Sequence, residues 1–496
     1  MAFWAALAGA SVLWTAGAAP LDLSGLSEKL QEFKLANGFT VAVLERKDSP
    51  VVSAALVFRV GHAMNPPGKR GLAAVFELLL EEGPDPRPAL NAAAEKAAFK
   101  EVEAAFDRWE SLRRRGSADE VAIQRAEVEV KMARERAAVL TVPRYARRAL
   151  EFHGGDSLQV NVGPDATFVA ARLPSTRIEA FFLLYGEWMQ RPFLHNFYAY
   201  RDLMANRAAS AAPPEQALQS AVAQAAFPGH PYGNPRMAPA ELRRLRHADA
   251  EEFARAYFTA SNAGLVLVGD IGAAEARRLA ELHFGRAPAG SRSTLAPVRA
   301  AAVRQPSPPE AAAALAVFYP RPPFGDPDDA VFDRVVPALM MGNRSLAWKK
   351  LVDTDRLAPG VVPMPLVPGG GAGGVTGIAV AARPDRGVTD SANRMAAVFE
   401  ELAATPIEDR LWEISGRLIQ AGVADQLTDP LQAAVLLAQN LAAYGSARSF
   451  LDAVARVESV TREDVQRAAR KYFTPETRSV MGPGIAPASP ASGAGR

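Results

Sequence analysis

The apolar positions of this chain fall into continuous short runs and into helix-spaced stripes. Val51–Val60 (VVSAALVFRV), Ala312–Tyr319 (AAALAVFY) and Leu265–Val268 read as buried strands, the first two each followed by a loop with Gly and Pro and then a helix. Gly71–Gly83 (GLAAVFELLLEEG) reads as a helix carrying one acid, Glu77, inside an apolar run. The strongest long-range pattern is a repeat. Asp249–Gly269 aligns without gaps on Asp464–Gly484, matching Asp249 to Asp464, Tyr257-Phe258-Thr259 to Tyr472-Phe473-Thr474 and Gly269 to Gly484, at an offset of 474 − 259 = 215 positions. Each copy predicts an amphipathic helix, an aromatic pair, a turn and a short strand, and so two homologous halves.

One segment has no counterpart in the second half. Asn91–Leu140 is dense in Ala, Glu, Lys and Arg, and predicts an antiparallel helical hairpin broken near Arg115-Gly116-Ser117. Its apolar positions are Phe99, Val102, Phe106 and Trp109 in the first helix and Val121, Val128 and Met132 in the second, read as a packed stripe on a solvated surface. The organisation expected is a signal peptide at 1–19, a first domain at 20–285 with its insertion at about 91–140, a solvated linker at 286–309, a second domain at 310–484 and a disordered tail at 485–496. Residues 2–19 carry no charge and end in Ala16-Gly17-Ala18 before Pro20, but the n-region lacks Lys or Arg, so an uncleaved anchor or a misassigned start stays open. The expected location is periplasmic or extracellular, with no stable membrane span after cleavage.

Composition narrows the chemistry. A formal charge of +2 without a basic aromatic stripe excludes a nucleic-acid partner. The absence of cysteine removes disulfides, thiolate metal sites and cysteine nucleophiles. Any zinc would need carboxylates and some of six histidines: His62, His153, His195, His230, His247 and His283. His247 and Glu251, four apart on a predicted helix, are a coincidental match to metal spacing; His230 fixes a turn in Gly229–Gly233 (GHPYG), and the rest stand alone. The run Gly369-Gly370-Gly371…Gly373-Gly374 reads as a flexible loop, since no Lys-Ser/Thr follows it.

Several stretches resemble the first domain of the pitrilysin/insulinase family of zinc metallopeptidases. They are Leu35-Ala36-Asn37-Gly38, Val51–Gly61, Gly71-Leu72-Ala73 leading to Glu77 and Gly83, GHPYG, and Tyr257-Phe258…Asn262…Val268-Gly269-Asp270. In the second half Gly342-Asn343-Arg344-Ser345-Leu346 resembles the companion domain. The resemblance implies an α+β fold: two homologous peptidase-like domains, each a β-sheet flanked by helices, arranged as a clamshell around peptide. It also implies the inverted zinc motif H-x-x-E-H, in which two imidazoles four apart share a helix face and the Glu activates water.

Here the motif places hold Ala74, Val75, Phe76, Glu77 and Leu78, and the downstream ligand place, matched within Tyr200–Arg207, holds Arg207. All three ligands are replaced, so no catalytic residue, no metal and no cofactor is expected, and Glu77 is a vestigial base predicted to pair with Arg207. The companion-domain Arg and Tyr places that bind the substrate carbonyl hold Val352 and Pro359. The resemblance implies an inactive homologue that partners an active zinc-containing member of the family and helps to enclose peptide. A stand-alone peptide-binding or scaffold protein is the alternative, and a peptidase with a non-standard site a further one.

Overall fold

The computed structural model describes residues 24–485 apart from 86–90, 115–118, 211, 235–236, 297, 324, 367–372 and 384. The expected signal segment, the tail beyond 485, the turn at 115–117 and glycines 369–371 lie outside the described residues. No described helix is long and apolar enough to cross a membrane.

The first half is built on strands β1 (Leu30–Lys34), β2 (Thr40–Glu45), β3 (Val51–Phe58), β4 (Asp156–Val162), β5 (Thr167–Pro174) and β6 (Ala263–Gly269), in the order β1-β2-β6-β3-β5-β4. Strand β6 is central and wholly buried, which is why its sequence runs apolar without alternation, whereas β4 closes the edge and alternates. The second half carries β7 (Arg304–Gln305), β8 (Ala314–Arg321), β9 (Val362–Pro363), β10 (Gly374–Ala381) and β11 (Ser479–Met481), in the order β7-β11-β8-β10-β9.

The two copies of the repeat occupy equivalent places. Strand β6 lies parallel to β2 and antiparallel to β3; β11 lies parallel to β7 and antiparallel to β8. The shared Asp has a local cause. Asp249 accepts from the backbone NH of Arg246 at 2.7 Å and Asp464 from that of Thr461 at 2.9 Å, so each closes the first turn of its repeat helix, His247–Tyr257 or Arg462–Tyr472. Hydrogen bonds from Thr461 hold the Asp464 carboxyl down to about 2.

Each sheet is covered on one face by a helix of the other half. Helix Pro430–Tyr444 lays Leu431, Leu437 and Leu441 against Leu44, Val57, Val266 and Val268 of the first sheet. A glycine permits this approach: a Cβ on Gly264 would lie 2.5 Å from Leu441 Cδ2. Reciprocally, helix Pro214–Ala226 sets Leu218, Val222 and Ala226 against Ala316, Phe318, Val375 and Met481 of the second sheet. Residues of the first half also hold both ends of the Pro430–Tyr444 helix. Arg172 Nη2 lies 2.9 Å from the N-capping Asp429, and Arg59 donates to the carbonyls of Ala442 at 3.0 Å and Leu441 at 2.9 Å.

The segment 286–309 is exposed along most of its length and is pinned at several points. Ala301 N donates to Ala226 O, Val480 N to Val303 O and Ser261 N to Ala289 O, each at 2.8 Å, and β7 joins the second sheet. Its few apolar residues, Leu295, Val298 and Val303, pack under the junction, which a count of Pro, Ala and Ser hides.

One expectation needs correcting, in the inserted helices, Ala92–Arg114 and Glu120–Leu140. They run antiparallel, with Glu101 paired to Arg136 and Arg108 to Glu129. Phe99, Val102 and Phe106 are buried as expected. Val121, Val128 and Met132 are instead exposed, and Ala126, Ala133 and Ala137 make the packed face. Small residues let the two helices approach closely, so the larger side chains are turned outward.

Candidate functional site

The motif helix, Leu72–Leu79, is fixed at its start by Gly71, whose φ of 101° suits glycine and whose missing Cβ leaves room for Leu242. Asn65 Oδ1 accepts from the backbone NH of Ala73 at 2.8 Å. Phe76 stacks on Phe258 at 4.7 Å and lies edge-on to Trp188 at 6.5 Å, locking the helix rotation. Every residue of the helix is buried except Glu77. Ala74 and Leu78 flank it, in the places four apart that the zinc motif gives to histidine.

Arg207 comes from the facing helix, Phe197–Ala209, and its Nη1 lies 3.8 Å from Glu77 Oε1, so the expected pairing is present. It is loose: the side chains are 50% and 39% exposed, and such a pair contributes less than about 1 kcal/mol. Burial pushes the Glu77 carboxyl above its ordinary value, and the Arg207 cation only partly offsets this. The same helix pair holds a polar cluster that sequence reasoning missed. Fully buried Glu82 accepts from Asn196 Nδ2 at 3.0 Å and from the Tyr200 hydroxyl, while Glu81 pairs with Arg147 at 2.9 Å. The available signal was Glu81-Glu82 directly after an apolar run, where two acids cannot both face water.

A zinc ion does not fit this donor set. Ala74 and Leu78 offer no lone pair, and Arg207 brings a permanent cation to the third ligand place. In the second half Val352 sits in a wide π-helical turn, Trp348–Thr354, and Pro359 is exposed on the loop beyond it. Neither carries a donor. Ser345 of the Gly342–Leu346 stretch is buried and bonds Gly342 O at 2.8 Å, closing a turn.

Among the histidines, His230 does fix the GHPYG turn, its Nδ1 accepting from Tyr232 NH at 3.3 Å. His195 does not stand alone. It stacks on His247 with ring centroids 5.9 Å apart, and Glu103 of the first inserted helix reaches 3.3 Å from His247 Nδ1.

Glu77→Gln is expected to change stability at neutral pH by less than about 0.5 kcal/mol, since the group is half in water. The sign follows from its raised carboxyl: stability present below the unfolded value of 4.5 is lost as pH rises through the folded one, so the Gln variant gains slightly on the native chain between about pH 4 and 7. Urea midpoints at the two pH values test this. Arg207→Ala should move the Glu77 carboxyl further up in a carbon-13 titration, and an unmoved titration would mean the pair does not form in solution.

In fold the chain is similar to a protease from Helicobacter pylori (TM-score 0.69, 16% identity, covering 91% of this chain and 98% of that one). It is similar also to a peptidase M16 inactive domain from Pseudomonas fluorescens (TM-score 0.68, 17% identity, 92% and 99% covered). The match to pitrilysin has a TM-score of 0.63 at 16% identity and covers 93% of this chain but 46% of pitrilysin. In sequence, residues 244–414 match the family described as "Peptidase M16 inactive domain". No curated protein matches the chain in sequence. The resemblance to the pitrilysin/insulinase family is thereby borne out, as a mixed α/β chain of M16 peptidase fold without zinc ligands at the motif helix.

Proposed function

We propose that this chain is a catalytically silent M16 homologue, exported, that partners an active zinc-containing homologue and walls part of a peptide chamber. The observation that carries it is the replacement of all three metal ligands by Ala74, Leu78 and Arg207, with Arg207 facing the residual Glu77. The matched family is itself described as an inactive domain. The clamshell, in this proposal, closes between two chains rather than within one. Opening the two halves would expose the apolar faces that they cover for each other, and the chain spans under half of pitrilysin. The inserted helices are an addition to the first half of that shell.

Purification from the native source should yield a co-purifying homologue with an intact zinc motif; the chain emerging alone would favour the peptide-binding or scaffold role. The isolated chain should show no peptide turnover. Turnover abolished by chelator and by Glu77→Gln would overturn the proposal.

A further inference from the structure

We infer that Glu103, His195 and His247 form a transition-metal site, of the zinc class, that clamps the first inserted helix to the body of the first half. The three come from separate segments: the Ala92–Arg114 helix, the loop ahead of the Phe197–Ala209 helix and the first residue of the His247–Tyr257 helix. One ligand atom from each lies within 4.8 Å of the others. Two imidazoles and a carboxylate are a zinc donor set, and tetrahedral ligands at about 2.0–2.1 Å stand roughly 3.3 Å apart, the spacing already found between His247 Nδ1 and Glu103.

Further carboxylates stand at the edge, Glu251 at 3.8 Å from His247 Nδ1 and Asp85 at 3.7 Å from His195 Nε2. Nearby cations are engaged elsewhere, Arg134 with Asp202 at 3.0 Å and Arg246 with Asp107 at 3.6 Å. His247 Nε2 is buried without a hydrogen-bond partner among the described residues. A cavity of about 490 Å³ lined by Phe99, Val102, Arg134 and Tyr198 opens onto His195.

Tag-free, chelator-treated protein titrated with Zn²⁺ by calorimetry should bind one equivalent and gain thermal stability. His247→Ala and His195→Ala should each weaken binding at least a hundredfold and abolish the zinc-dependent gain, with circular dichroism showing the fold retained, and Glu103→Gln should weaken it about tenfold. Glu77→Gln and Arg207→Ala should leave it unchanged. No binding, or binding indifferent to His247→Ala, overturns the site; loss on Glu77→Gln would place zinc at the motif helix and overturn the proposed function instead.

Discussion

Replacing Arg321 by Leu is expected to destabilise the chain by about 3–5 kcal/mol, the largest single-residue effect we foresee. The Arg321 guanidinium is buried between two acids of one helix, Asp329 at 2.6 Å and Asp333 at 2.7 Å, all three side chains at most 13% exposed. Its loss leaves two carboxylates together in a low dielectric with the more distant Arg456 to oppose their charge, and a buried, poorly compensated charge costs far more than the pair contributes. The deficit should depend on pH. Burial already raises the Asp329 carboxyl, with Arg321 opposing. The fold thus disfavours ionised Asp329, so stability present at low pH is lost as pH rises through the folded value, and removing Arg321 enlarges that loss. Urea unfolding should show the largest deficit near neutral pH and a smaller one near pH 4.5. A loss below about 1 kcal/mol at neutral pH would mean that water reaches the acids.

The second large effect is expected at the junction of the halves. Arg59→Ala should cost about 2–4 kcal/mol, because it removes charged hydrogen bonds to two carbonyls at the end of the Pro430–Tyr444 helix, of which Leu441 O keeps the capping Gly445 NH. Burial holds the Arg59 guanidinium down to about 10, and it remains charged at neutral pH. Limited proteolysis should show earlier cleavage around residues 445–448 than in the native chain. Arg59→Lys, which keeps the charge but loses the fork, should recover less than half of the stability. Equal protease resistance in the Ala variant would show that the apolar contacts alone hold the junction.

What the sequence disclosed depended on whether the cause was local. The repeat was legible because Asp249 and Asp464 each close a helix turn, and the two helices end at the same aromatic pair, Tyr257-Phe258 and Tyr472-Phe473. Glu77 opposite Arg207 was legible only through the family resemblance, whose ligand places set the two helices face to face. Glu103, His195 and His247 were not legible together, since they converge from three segments and no period links them. The outward turn of Val121, Val128 and Met132 was misread for a related reason: an apolar stripe says that a face seeks cover, but only the packing of Ala126, Ala133 and Ala137 decides which face the neighbouring helix takes. The reciprocal covering of the sheets left no mark, because an apolar helix such as Pro430–Tyr444 has the same sequence whichever sheet it covers.

That covering also sets a timetable for synthesis. Strand β6 completes the first sheet at Gly269, yet the helix that shields its second face ends at Tyr444, a further 444 − 269 = 175 residues along. At about 5–20 residues per second the apolar face waits roughly 10–35 s for its cover. During that interval the nascent first half presents an open hydrophobic sheet, and a holding chaperone, or the exposed sheet of a neighbouring chain, competes for the place the helix will take.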